Sequence, residues 1–467
     1  MGAGNCKTFR RSAGSSRDTR DTSAATDTSK EHDTYIEEVV CKQEDINENE
    51  MKMLPLGNNE KKILLIKQNG ELHAIGTKCT HYGALLHTGA LGEGRVRCPW
   101  HGACFNIKTG DIEDYPGLDS LPCYKVRVDK SGLVHVRTKH TELNNNKRMK
   151  DMSARDPENT KTVIIVGGGP SGATCAESLR QEGFTGRIIM ICRENVIPYD
   201  RIKVSKVLDF DVHSATLRSP SFYKEHNIET KLGVKAIGTY KRRISISIYI
   251  YNIYINYVTS YSALHFFYSV IGLDTTENTV KLSNNENFVY DYLFICTGSK
   301  PRMLNVPGAN LSNIFVLRDY TDSQGVHALL SPKKHVVVLG LGFIGMESAA
   351  YCIDKCASVT VIGRDTVPLR AIFGAVIGNR IKKEHEAKGV KFIFKNNIKQ
   401  FIPKKGEENV LAKVELTDGQ ILPADIVIIG IGSTFYTEWM KKSSVTMRDD
   451  GSIPVNKDKC GKYICWR

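Results

Sequence analysis

A chain of 467 residues is too long for one hydrophobic core, and about three domains are expected. Charged residues at 25% and hydrophobic residues at 41% are the proportions of a soluble globular protein. The formal net charge of +13 is spread along the chain without a DNA- or RNA-reading motif, so it is read as solubility and no nucleic-acid partner is expected. The 13 cysteines are odd in number and form no secreted-type framework. They point to reduced thiols inside the cell, in the cytoplasm or mitochondria.

Residues 1–34 are rich in Ser, Thr, Asp and Arg and read as a disordered tail without a secretory signal. Asp18, Asp21 and Asp27 weigh against a mitochondrial presequence. Gly2 and Cys6 could carry a lipid anchor, but Cys6 stands where the acylation motif has Ser or Thr.

Strand-like segments at Lys62–Ile66 and Tyr124–Val128 flank the chain's densest chemistry. Cys79, His81, Cys98 and His101 follow the pattern C-x-H-x16-C-x2-H within CTHYGA and CPWHGACFN. Each loop carries one thiol and one imidazole, as a 2Fe-2S cluster with two cysteines on one iron and two histidines on the other requires. Zinc is the rival for a Cys2His2 set, although zinc fingers pair Cys with Cys and His with His along the chain. Gly83 and Gly102 let backbone approach the cluster, and Tyr115-Pro116-Gly117 reads as a loop covering it. Residues 35–138 therefore resemble a Rieske domain. Where high-potential Rieske proteins have a bridging disulfide, this chain has Ala84 and Trp100. The resemblance is thus to the ferredoxin-like branch, which takes electrons from a flavin reductase.

After a polar linker, 139–160, the apolar run Thr162–Val166 leads into Gly167-Gly168-Gly169-Pro170-Ser171-Gly172 and an Ala-rich helix. Strand, GxGxxG and helix together read as a pyrophosphate cradle. Gly167, Gly169 and Gly172 would hold the diphosphate. Glu194, 22 residues past Gly172, would meet the adenine ribose. A second copy runs from His335–Leu339 into Gly340, Gly342, Gly345 and Glu347, with a return strand at Ser358–Ile362. Two such sites in one chain point to a fixed flavin and a mobile nicotinamide. Cys352 and Cys356 share a helix face and read as core.

These segments resemble the two-dinucleotide-domain flavoprotein reductases. Pro198–Arg201 with Ser205-Lys206 matches their PYxRPxLSK segment, with Ile202 and Val204 as departures, and Tyr292–Pro301 matches the turn that meets the flavin again. The resemblance implies that Arg201, Lys206, Thr297 and Gly298 lie along FAD and that Glu347 faces the nicotinamide, Lys206 and Glu347 being the catalytic candidates. A residue favoured by a helix N-terminus is the plainer account of Glu347. Gly363-Arg364 stand where NAD-preferring sites carry an acid, so Arg364 either receives a 2′-phosphate or is a solvated surface residue. The chain is identified as a member of the Rieske branch of the apoptosis-inducing factor family. The expected fold is multidomain α+β, an all-β Rieske domain followed by two Rossmann-like domains. The bounds are FAD-binding 161–332, NAD(P)-binding 333–424, and a return to the FAD domain at 425–467.

Two stretches depart from that family. Residues 238–271 include a run, 244–271, without Asp, Glu, Lys or Arg, too rich in Ser, Tyr and Asn for a good membrane span. They read as a translated intron or gene-model error. Past Ile453–Lys457 the chain runs DKCGKYICWR, where the resemblance implies further flavin contacts and an interface domain, so a C-terminal truncation that weakens FAD binding is expected. The function expected is NAD(P)H-dependent electron transfer through FAD to a 2Fe-2S cluster and on to an unidentified acceptor. The alternatives are a pro-apoptotic redox sensor and a non-functional gene-model fragment.

Overall fold

The computed structural model describes residues 35–57, 61–114, 116–233, 270–282, 284–455 and 464–465. The N-terminal tail with its acylation site, Tyr115, Cys460 and the interval 238–271 except its last two residues lie outside them. The chain forms two compact units, 1–149 and 150–467.

In the first unit, six antiparallel strands lie in the order Tyr35–Lys42, Leu133–Lys139, Cys123–Val128, Glu71–Gly76, Lys61–Gln68 and Glu50–Leu56. Ile63-Leu64-Leu65-Ile66 in this sheet is apolar without alternation because both faces are covered. Leu64 and Ile66 join a core with Cys79, Cys98 and Phe105, while Ile63 and Leu65 join another with Leu56, Val134 and Val136. Successive side chains of one strand thus feed two cores. A smaller antiparallel sheet, Ala90–Gly92, Arg95–Arg97, Cys104–Asn106 and Ile112–Asp114, carries the second Cys/His loop between its middle strands.

The segment read as a linker is divided between the units. Leu133–Lys139 runs into the helix His140–Asn144, and Asn146 and Arg148 are tied to the first unit by bonds to the Lys78, Leu121 and Thr109 carbonyls. Ser153, by contrast, donates from its amide to the Arg180 carbonyl in the second unit (2.9 Å).

The second unit contains two parallel sheets built alike. The first is ordered Ile228–Lys231, Arg187–Ile191, Thr162–Val166, Tyr292–Ile295 and Ile464–Cys465. The second is ordered Ile314–Val316, Ile426–Ile429, His335–Leu339, Ser358–Gly363 and Lys391–Phe394. In each, the central strand carries the glycine loop and strand order reverses on either side of it, which puts a crevice at the carboxyl ends. Strand pairing moves the expected bounds of the second module: Ile314–Val316 and Ile426–Ile429 both hydrogen-bond within its sheet, outside 333–424. Val270–Asp274 pairs with Thr279–Leu282, so the last two residues of the anomalous interval begin a hairpin, with Val270 in the core.

Both glycine loops are over-determined. Gly167 and Gly340 have φ of 129° and 127°, and a Cβ on either would lie 2.1 Å from the Cys296 carbonyl or 2.2 Å from that of Gly430. A Cβ on Gly172 or Gly345 would meet the carbonyl of Gly167 at 1.9 Å or of Gly340 at 2.0 Å. Gly169 is different, with Arg201 Nε at 3.8 Å as its nearest neighbour. Gly172→Val is therefore expected to destabilise the second unit by roughly 2–4 kcal/mol, and Gly169→Ala by less than about 1 kcal/mol. Denaturant unfolding of the two variants measures the difference.

Candidate functional site

The two Cys/His loops are built on one plan. The Cys79 amide donates to the Ala84 carbonyl (2.8 Å) and the Gly83 amide to the Cys79 carbonyl (2.9 Å). In the second loop Cys98 donates to Ala103 (2.8 Å) and Gly102 to Cys98 (3.2 Å). Gly83 and Gly102 close these turns at φ of 78° and 76°. Ala84 and Ala103 are buried beneath.

Cys79 and Cys98 are buried and their thiols adjoin, while the rings of His81 and His101 stand edge-on with centroids 5.0 Å apart. The amides of His81 and Tyr82 are aimed at the Cys79 sulfur. Burial pushes the Cys79 thiol up to about 11, with the Cys98 thiol adding to the rise, so metal binding there must displace a proton. Among the described residues no three or more His, Cys, Asp or Glu side chains gather closely enough for one ion. Two thiols beside two imidazoles, with amides aimed at sulfur, fit a dinuclear cluster of that ligand set.

The expected covering loop sits over the first turn. A Cβ on Gly117 would meet Thr80 Oγ1 at 3.2 Å, and the Thr80 hydroxyl donates to the Asp119 carbonyl (2.7 Å). Tyr82 and Trp100 beside the histidines are exposed.

In the second unit, the first glycine loop opens on a cleft. Gly167, Gly169, Glu194, Arg201, Thr297 and Gly298 line it, whereas Gly172 and Lys206 do not. The helix Pro170–Gln181 begins at Gly169 without a side-chain cap, leaving its first amides for an anion.

Glu194 is more engaged than a ribose ligand waiting alone. It pairs with Arg201 and accepts from the Tyr199 hydroxyl (2.7 Å), which in turn accepts from the Tyr320 amide (3.0 Å). Burial raises the Tyr199 phenol far above its ordinary range, so it stays a donor. Arg201 thus stands by the phosphate loop and Glu194, and it also donates to the Arg318 carbonyl (3.0 Å).

Arg318 escaped the sequence reading. Burial, together with the neighbouring Arg201 and Arg193, lowers the proton affinity of its guanidinium. A bound diphosphate would relieve that crowding. No local motif marks Arg318; in the structure a Cβ on Gly298, whose φ is 65°, would fall 2.8 Å from Arg318 Nη2.

The second loop, with Gly340 and Gly345 in the same geometry, starts the helix Phe343–Cys352 from an uncapped Gly342. Glu347, one turn along, accepts from Lys206 Nζ (2.6 Å) and from the Ser205 hydroxyl. The two catalytic candidates, 141 residues apart, therefore form one ion pair between the modules. Arg364 lies exposed just past Ser358–Gly363. Cys352 is buried and Cys356 half-buried.

Residues 161–461 match the family model of the pyridine nucleotide-disulphide oxidoreductases, and the chain belongs to that family. Residues 37–125 match the Rieske (2Fe-2S) domain. A Rieske domain implies a 2Fe-2S cluster, and reductases of this family bind FAD and NAD(P)H.

The chain is 35% identical to human apoptosis-inducing factor 3 over 427 residues, 90% of its own length and 64% of that relative's. It is 27% identical to rhodocoxin reductase of Rhodococcus erythropolis over 58% of this chain and 56% of that one. The crystal structure of the covalent putidaredoxin reductase–putidaredoxin complex aligns with a TM-score of 0.51 at 25% identity, over 60% of each chain.

Replacing Cys98 with Ala is expected to abolish iron and acid-labile sulfide while leaving flavin content unchanged. Elemental analysis of the purified protein checks this. Stoichiometric zinc without sulfide in the parent protein would contradict the cluster assignment.

Proposed function

We propose that the chain is an NAD(P)H-dependent oxidoreductase that passes electrons by way of FAD to its own 2Fe-2S cluster and on to a separate acceptor. Support comes above all from two glycine loops of matching geometry in a chain that also carries a paired Cys/His loop set. Rhodocoxin reductase, a relative, is a reductase by name. When bound, a flavin turns the two electrons of a hydride into single electrons that an iron–sulfur cluster accepts.

In this reading Gly167, Gly169, Gly172 and the helix amides hold the FAD diphosphate, with Arg201 and Arg318 as counter-charge and Thr297 and Gly298 closing the cleft. Gly340, Gly342 and Gly345 hold NAD(P)H. Cys79, Cys98, His81 and His101 bind iron, and the exposed His101 edge is where electrons leave. Lys206 keeps a proton-bearing cation between the modules and Glu347 fixes its position. Among the described residues no helix is long and apolar enough to cross a membrane.

The identity with apoptosis-inducing factor 3 favours a second role, in which the same cofactors sense redox state in apoptotic signalling. Anaerobic addition of NAD(P)H separates the two: flavin absorbance should bleach within seconds. Coloured protein that does not bleach would favour sensing. Glu347→Gln removes the counter-charge of Lys206 and is expected to slow that bleaching about tenfold or more, with a thermal midpoint close to the parent's. Stopped-flow absorbance reads it.

A further inference from the structure

The second nucleotide site, taken as the NAD(P)H site proposed above, carries cations without partners. Gly363 and Phe394 face each other in parallel register, so Arg364 and Lys395 follow side by side at the carboxyl ends of neighbouring strands. The adjoining Gly340 amide donates to the Ile362 carbonyl (2.8 Å). Among the described residues neither the Arg364 nor the Lys395 side chain makes an ion pair or hydrogen bond.

The first site supplies an internal comparison, because Ile191 and Ile362 hold equivalent places, each accepting from the first motif glycine. Arg193 is then the counterpart of Arg364, and it is paired with Asp319 (3.2 Å). Packing is exchanged at the preceding position. In the first site a Cβ on Gly168 would meet Cys192 Sγ at 2.4 Å; in the second, a Cβ on Gly363 would meet Leu341 Cγ at 2.4 Å. Leu341 therefore fills the space that an acidic side chain at 363 would need.

The remaining acid, Asp365, is the counterpart of Glu194. Its Oδ1 accepts from the Thr366 amide (2.7 Å) and from Arg370 Nη1 (3.2 Å). Those bonds hold it in its own turn and lower its pKa, the Thr366 amide foremost. The usual acceptor for a ribose 2′-hydroxyl is thus excluded at 363, and at 365 one carboxylate oxygen is held in its own turn, while two unpaired cations stand where a 2′-substituent would arrive.

We infer that the dinucleotide this site takes is NADPH, with Arg364 and Lys395 receiving its 2′-phosphate. Charge-assisted bonds to a phosphate correspond to about tenfold or more in affinity. Calorimetry on the full chain, with FAD saturating so that the first cleft is filled, should find 2′,5′-ADP binding at least about tenfold tighter than 5′-AMP. Arg364→Gln and Lys395→Gln should each shrink that ratio while leaving 5′-AMP affinity unchanged. Equal affinities, tighter binding of 5′-AMP, no binding of either fragment, or a ratio unmoved by both substitutions would overturn the inference. Fragment binding reports this subsite alone. If 2′,5′-ADP discriminates but NADPH does not bleach flavin, the 2′-phosphate site stands and the oxidoreductase reading fails.

Discussion

In both nucleotide modules a backbone carbonyl occupies the place where the first motif glycine would carry its side chain. Cys296 supplies it in one module and Gly430 in the other, each immediately after the strand that lies beside the central one. That contact locks the loop against the sheet, and the last motif glycine in turn packs on the carbonyl of the first. Uncapped helix amides are left facing the crevice, and everything proposed for nucleotide binding depends on them. The strong demand falls on Gly167, Gly172, Gly340 and Gly345, while Gly169 and Gly342 have room around them.

The Cys/His loops solve a parallel problem by a different local device. A left-handed glycine four residues after each cysteine and a buried alanine five residues after it make two equivalent turns. Both cysteines enter one core, alongside Leu64, Ile66 and Phe105. The histidines stay nearer the surface, His81 half-buried and His101 exposed. Thiols inside and imidazoles outside give such a centre a protected sulfur side and an accessible nitrogen side.

Much of this was legible because it is local. The ligand spacing, the two GxGxxG loops and their strands each occupy a few consecutive residues, and their chemistry follows from residue type. What could not be read depends on residues brought together by topology. The Lys206–Glu347 pair joins two motifs 141 residues apart, and Arg318 enters the first cleft from outside either motif. Lys395 becomes the neighbour of Arg364 through strand pairing alone. Polar composition suggested a single linker at 139–160, yet Arg148 and Ser153 bond to different units. Ile63–Ile66 is buried on both faces in an antiparallel sheet, and Val163–Val166 is buried in a parallel one, as its uninterrupted apolar run implies.

The central claim is that reducing equivalents from a nicotinamide reach the iron held by Cys79, Cys98, His81 and His101. Electron paramagnetic resonance of the full chain, frozen after anaerobic mixing with NADPH, tests it most directly. The expected result is a reduced Rieske signal that is absent before mixing and absent in Cys98→Ala. A bleached flavin beside a cluster that stays oxidised, although dithionite can reduce it, would contradict the account.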